Sequence, residues 1–124
     1  MGDIIKGNLA GVEVYDYVAE DYKTVMSFGE WRVAYLNYGK EFNDTIPRIE
    51  RHIETDEVFV LLEGEATLII GKELTKIPMC RHKVYNVPKA VWHHITVNEG
   101  ARVLIVENQD TCRENTEYIY FEEK

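Results

Sequence analysis

The sequence predicts an all-β protein folded as one domain. Short runs of β-branched, aromatic and aliphatic residues recur along the chain. Each is closed by a turn signal such as Gly29-Glu30, Glu63-Gly64, Gly71-Lys72 or Asn98-Glu99-Gly100. No long segment of helical period, internal repeat or low-complexity tract interrupts them. A chain of 124 residues, 45% of them hydrophobic, has the length of one domain and can bury roughly two-thirds of its unfolded surface. Many short strands between frequent turns specify a sandwich or a barrel.

Residues 1–10 carry no strong pattern and read as a lead-in. Val12 to Val18 alternates as a strand, with Glu13, Tyr15 and Tyr17 on one face. Tyr22 to Phe28 fits a short strand or a helical turn, and periodicity does not decide between them. Trp31 to Tyr38 is a strand with Trp31, Val33 and Tyr35 opposite Arg32, Ala34 and Leu36. After a loop over 39–45, Pro47 opens the next strand, where its missing N–H is tolerated. Further strands are expected over Glu57 to Leu62, Ala66 to Ile70, Leu74 to Met79, Val84 to Val87, Trp92 to Val97, Ala101 to Glu107 and Glu117 to Phe121. Two successive hairpins are expected, turning at Glu63-Gly64 and at Gly71-Lys72. The domain then divides into an N-terminal arm with the first strands (1–29), a barrel core (30–108) and a closing strand (109–124).

Charge narrows the function. The formal net charge is −8 and the basic residues are scattered. Without a basic stripe to displace counterions from phosphates, neither nucleic acid nor an anionic membrane is an expected partner. No apolar run reaches membrane-spanning length, and the N-terminal Met-Gly-Asp-Ile-Ile-Lys lacks the basic and long apolar regions of a secretory signal, so a cytoplasmic location is expected. Cys80 and Cys112 stand apart from any Cys-x-x-Cys and read as ordinary thiols.

The informative stretch is Glu50 to Gly64. Two strands are separated by the polar Glu54-Thr55-Asp56. Arg48, Glu50 and His52 share one face of the first, and a tight turn is expected to bring Glu57 alongside, with Phe59 and Leu61 following it. Ionisable groups in line with an apolar face need a partner, a metal or a catalytic role. The second stretch is Pro88 to Asn98. There His93 shares its face with Ile95 and Val97, while His94 goes with Thr96 and Asn98. His93 is therefore expected to point inward and His94 outward; His82 and His94 are both expected at the surface. Trp31, Trp92 and Phe59 are expected in the core.

These two stretches resemble the motifs of the cupin family. In Glu50-x-His52-x4-Glu57-x6-Gly64, the second His, the Glu and the closing Gly of the first motif are matched in spacing. In Pro88-x-Ala90-x2-His93, the Pro and the His of the second are matched. Glu50 stands where the family's first His belongs. Asp44 and His82 stand at its two leading Gly positions, Ala90 replaces the inner Gly, and Asn98 falls one residue late. The resemblance covers about residues 30–108 and implies a jelly-roll β-barrel. It also implies a divalent metal (Zn, Mn, Fe or Ni) held by His52, Glu57 and His93, with Glu50 as a fourth ligand or a base. The opposing possibility is a His52–Glu57–His93 cluster that only satisfies its own hydrogen bonds. Arg48 is a candidate for a two-pronged contact with a substrate carboxylate, or an ion-pair partner of Glu50 or Glu57; Tyr35 is a candidate to offer a hydroxyl in the barrel.

Two classes of function follow. One is a small metal-dependent enzyme acting on a polar metabolite, a carboxylate or sugar-like molecule, with a metal-free isomerase using a His–acid pair as its variant. The other is a non-catalytic ligand-binding or accessory module. A homodimer is expected in either class. An isolated strand over Val12 to Val18 leaves an open edge, and pairing with a second copy covers it.

Overall fold

The computed structural model describes residues 2–121; Met1 and residues 122–124, the outer limits of the expected domain, lie outside them. The chain runs through β1 (Ile5–Leu9), β2 (Val12–Asp16), β3 (Asp21–Phe28), β4 (Trp31–Asn37), β5 (Arg48–His52), β6 (Glu57–Glu63), β7 (Ala66–Ile70), β8 (Thr75–Pro78), β9 (Val84–Val87), β10 (His93–Val97), β11 (Arg102–Asn108) and β12 (Thr116–Tyr120). One 3-10 turn, Arg113–Asn115, precedes β12. Two five-stranded antiparallel sheets, in the orders β12-β5-β10-β7-β8 and β3-β4-β11-β6-β9, face one another, and β1-β2 form a separate two-stranded sheet. No helix among the described residues is long and apolar enough to cross a membrane.

The alternation read from the sequence is what fills the space between the sheets. Phe59 and Leu61 on β6, Val103 and Ile105 on β11, Ala34 and Leu36 on β4 face Leu68 on β7 and Ile95 and Val97 on β10. Fully burying each large member contributes about 1.5–3 kcal/mol. Three of these inner rows end in an ionisable residue at the same end of the barrel: Glu57 before Phe59, Glu107 after Ile105, and His93 before Ile95.

Sheet membership departs from the expected hairpins. β7 and β8 do pair, across the turn at Gly71. β6 and β7 lie in opposite sheets, so Glu63-Gly64 is a corner and not a hairpin turn. Gly64 is required there. Its φ is +75°, and a Cβ would stand 2.6 Å from Ala101 Cα. β5 and β6 also lie in opposite sheets. The short polar connection therefore carries the chain across the barrel mouth, and Glu57 meets His52 across the interior, not beside it in one sheet.

The N-terminal lead-in is a strand. β1 pairs along its whole length with β2, from Ile5 opposite Asp16 to Leu9 opposite Val12. The hairpin is tied to the barrel at its base. Arg102 donates to Asp16 Oδ1 and to the Tyr17 carbonyl at 2.7 and 2.8 Å, and Asn37 donates to the carbonyls of Tyr17 and Ala19.

Candidate functional site

Cross-strand register builds the site. His93 lies directly opposite Glu50 across β10 and β5, and His52 lies opposite Thr116 across β5 and β12. In the facing sheet Glu57 is opposite Glu107, and Glu107 in turn is opposite Arg32. The four sequence-predicted residues Glu50, His52, Glu57 and His93 thus converge at one end of the barrel. They line a cavity of about 350 Å³ with Phe59 and Ile105 on its apolar side.

Glu57 is the hub. Its Oε1 is 2.9 Å from His52 Nε2 and 3.0 Å from His93 Nε2. The other ring nitrogens are fixed. His93 Nδ1 is 3.0 Å from the Val91 carbonyl, which can only accept, so Nδ1 carries the proton. His52 Nδ1 pairs with the Thr116 hydroxyl at 2.9 Å. Burial works against charging each of these three groups, but mutual attraction outweighs it. The Glu57 carboxyl is held well below the usual carboxylate range by hydrogen bonds and charge from both imidazoles. Both histidines are raised above the ordinary value, chiefly by Glu57.

Sequence reasoning missed Glu107. Its side chain is only 3% exposed. Oε1 accepts from the Tyr22 hydroxyl at 2.6 Å and from Arg32 Nε and Nη2 at 3.2 and 2.9 Å. Oε2 is buried without a partner among the described residues and lies 3.9 Å from His52 Nε2. Burial and repulsion from Glu57 push its pKa up to about 7, against the opposing pull of Tyr22 and Arg32. The signal was in the alternation Val103-x-Ile105-x-Glu107, which sets this carboxylate on the inner face. Burial also raises the Tyr22 hydroxyl, with the Glu107 charge adding to it.

Three other expectations need correction. His94 is not at the surface. It is 3% exposed, its Nε2–H donates to the Thr45 carbonyl at 3.1 Å, and its ring stacks on Phe42. The segment between β4 and β5 covers it, which strand parity alone does not reveal. Burial lowers its pKa to about 4, so the ring is neutral; it takes no part in the carboxylate–imidazole cluster. Tyr35 does not line the cavity. Arg32, Ala34 and Leu36 take the inner face of β4, and Tyr35 lies outside under the Arg102 guanidinium, 4.7 Å from its ring centre. Of the expected core aromatics Phe59 is buried, Trp31 is 44% exposed at the β3–β4 turn, and Trp92 is half-buried beneath Arg51. Arg48 does line the cavity, 3.8 Å from Glu50 Oε1.

The donor set fits a divalent cation. Two groups of ligand atoms lie close enough to share one: Glu50, His52 and His93, and His52, Glu57 and Glu107. Imidazole nitrogen with carboxylate oxygen suits Zn, Mn, Fe or Ni. With Nδ1 protonated, a neutral His93 turns a bare Nε2 lone pair on Glu57 Oε1 at 3.0 Å, so the contact needs a positive charge. The orphaned Glu107 Oε2 points to the same need.

No family model matches the sequence, and no curated protein sequence matches it. Solved structures do match. A cupin-2 domain protein from Shewanella frigidimarina superposes with a TM-score of 0.61 at 18% identity, covering 75% of this chain and 85% of that one. Pac13, a nucleoside dehydratase, superposes at 0.63 with 10% identity over 97% of this chain and 88% of its own. Variants of the Streptomyces Pac13 have been solved with uridine. KdgF from Halomonas superposes at 0.58 with 12% identity, covering 70% of this chain and 76% of that one. This chain has the cupin-like β-barrel fold of these structures. The backbone agrees at two of the three substituted glycines: His82 and Ala90, where the family motifs ask for Gly, have φ of +71° and +69°, whereas Asp44 has no positive φ. The Ala90 N–H also donates to the His52 carbonyl at 2.7 Å, tying the second motif to the first.

Proposed function

We propose that the protein is an enzyme that holds one divalent cation through His52 Nε2, His93 Nε2 and Glu57 and acts on a small polar metabolite in the adjoining cavity. The observation that carries this is the His93 contact: Nε2 stands 3.0 Å from a Glu57 carboxylate oxygen with Nδ1 already committed to the Val91 carbonyl, so a positive charge, a cation or a proton, belongs between them. When bound, the cation supplies Lewis-acid polarisation of a substrate carbonyl or carboxylate, or activates water or oxygen. The chain's own residues supply the rest. Val91 and Thr116 orient the two rings, as partners behind metal-binding imidazoles do. Glu50 Oε2, 3.7 Å from His52 Nε2, is placed to complete the donor set or to accept a proton beside it. Glu107 Oε2, buried without a partner among the described residues and 3.9 Å from His52 Nε2, is placed to join the donor set or to accept a proton beside it. Phe59, Ile105 and Leu36 exclude water from the inner side.

The test is a thermal-shift titration of chelator-treated protein with Zn, Mn, Fe and Ni, followed by a metabolite screen on the loaded and the stripped forms. A cation at a thousandfold its Kd stabilises by about 4 kcal/mol, which for a domain of this length is a shift of about 15 °C. Metabolites that stabilise the loaded form and are consumed by it support an enzyme, and those that bind without being consumed support an accessory module. No response to any of these cations would leave an imidazolium at His93 as the positive charge, and with it a metal-free acid–base cupin.

We further propose that the chain is a homodimer built on the β1–β2 hairpin. Ile5, Leu9, Val12 and Val14 on that hairpin are 46–70% exposed, and a two-stranded ribbon gains little stability by itself. Cys80 and Cys112 are free and exposed, which suits the reducing cytoplasm, where we place the protein.

A further inference from the structure

The cavity is sorted by charge. Glu50, Glu57 and Glu107 crowd around the histidines, while Arg48, Arg113 and Tyr118 also line the same space. Those three form one cluster. Tyr118 lies opposite Glu50 across β12 and β5, and Arg113 stands in the turn that leads into β12. Arg48 stands two residues before Glu50 on the same strand, and the Arg113 guanidinium lies over the Tyr118 ring, so the three side chains meet at this wall of the cavity.

Among the described residues, their side-chain hydrogen-bonding capacity is unspent. Arg48 approaches Glu50 only to 3.8 Å, outside hydrogen-bond range. Among the described residues Arg113 makes no ion pair, and the Tyr118 hydroxyl makes no hydrogen bond. Both guanidinium groups are nevertheless braced, Arg48 over the Phe42 ring and Arg113 over the Tyr118 ring, each 5.9 Å from the ring centre. An arginine held on an aromatic face is pre-organised and loses less freedom when it binds.

We infer that Arg48, Arg113 and Tyr118 form an oxyanion clamp, and that the ligand of this cavity is a small polyol-like molecule carrying a carboxylate or a phosphate. The inference rests on the reading that this cavity is the working site, and it deepens that reading by naming the substrate class. The charge distribution fixes the orientation. The carboxylates at the histidine end are already matched, Glu57 by the two imidazoles and Glu107 by Arg32. The clamp's guanidinium groups have no carboxylate within hydrogen-bond range among the described residues. The anionic end is therefore drawn to the clamp, and an uncharged hydroxyl or carbonyl end is left beside His52 and His93. A cavity of about 350 Å³ is at the small end of the range for ligand pockets, with room for a molecule the size of a hexose.

The experiment compares three probes that share a six-carbon polyol: gluconate carries a carboxylate, glucose 6-phosphate a phosphate, and sorbitol no charge. Each is titrated by calorimetry into wild type, Arg48→Gln/Arg113→Gln and Tyr118→Phe. Every titration is run with chelator and again with Mn²⁺, and Mn²⁺ binding is measured in parallel. At least one anion should bind tenfold or more tightly than sorbitol, with or without Mn²⁺, and weaken as salt rises. The double variant should lose that preference while still binding Mn²⁺, and Tyr118→Phe should lose part of it. Whichever of the two anions binds more tightly assigns the oxyanion. Equal binding of sorbitol, undiminished anion binding in the double variant, or no binding of any probe would overturn the clamp. Anion binding by a wild type that takes up no Mn²⁺, nor Zn, Fe or Ni in its place, would overturn the cation reading and leave the clamp standing.

Discussion

Replacing Glu107 by Gln in the cation-free protein should flatten the pH dependence of its stability and make the variant the more stable form under alkaline conditions. The folded-state pKa of about 7 stands above the ordinary 4.5 because of burial and the Glu57 charge. The folded protein therefore holds the Glu107 proton more tightly than the unfolded chain does. Such a group favours folding fully below its unfolded pKa, and that contribution is lost as pH rises through the folded value. At about 1.36 kcal/mol per unit, the full loss is at most about 3 kcal/mol, complete by roughly pH 8. Glutamine keeps the acceptor oxygen for the Tyr22 hydroxyl and the Arg32 guanidinium, so the hydrogen bonds on Oε1 survive. Its amide puts donors where Oε2 has no partner. Urea unfolding with chelator present, at intervals from about pH 5 to about pH 8, gives both curves. The wild type should fall more steeply, and the variant should cross above it. A residual decline in the variant belongs to His52 and His93, whose raised pKa values act in the same direction. Parallel curves, or a variant less stable at every pH, would refute the assignment of the raised pKa to Glu107.

Other outcomes follow from the same geometry. His94→Ala should cost about 1–3 kcal/mol, because it empties a buried site and strands the Thr45 carbonyl, yet leave cation uptake intact by elemental analysis. Ala90→Gly should stabilise the protein by up to about 1 kcal/mol by relieving a left-handed φ, whereas Gly64→Ala should destabilise it by about 2 kcal/mol or more; denaturant midpoints measure both. Light scattering should give a dimer for the full chain and a monomer when residues 1–15 are removed, a cut that spares Asp16 and Tyr17 at the hairpin base. A monomeric full chain at high micromolar concentration would end the dimer.

The strands with a buried alternating face were legible in the sequence, and the site residues on them came with the parity. Glu57-x-Phe59-x-Leu61 and His93-x-Ile95-x-Val97 predicted the faces of Glu57 and His93, while their place at one end of the barrel came from the structure. β1 was not legible, because Ile5 to Leu9 is exposed on both faces and has no burial pattern to write into the sequence. Which strands share a sheet was also hidden. A short polar turn can close a hairpin or cross between sheets, and only closure of the barrel decides that β5 and β6 cross. Glu107 was legible and overlooked, since its partners Arg32 and Tyr22 are 75 and 85 residues away. His94 was not legible, because the outer face of β10 is covered by a loop whose path the sequence does not give.

The most direct test of the central claim, a divalent cation held by His52, His93 and Glu57, is the metal content of the purified protein. Wild type, His52→Ala and His93→Ala are each reconstituted in turn with Zn, Mn, Fe and Ni, desalted and analysed for bound metal. The structure predicts about one cation per chain in the wild type, for at least one of these metals, and none in either variant. A wild type that retains no cation, or histidine variants that retain as much as the wild type, would contradict it.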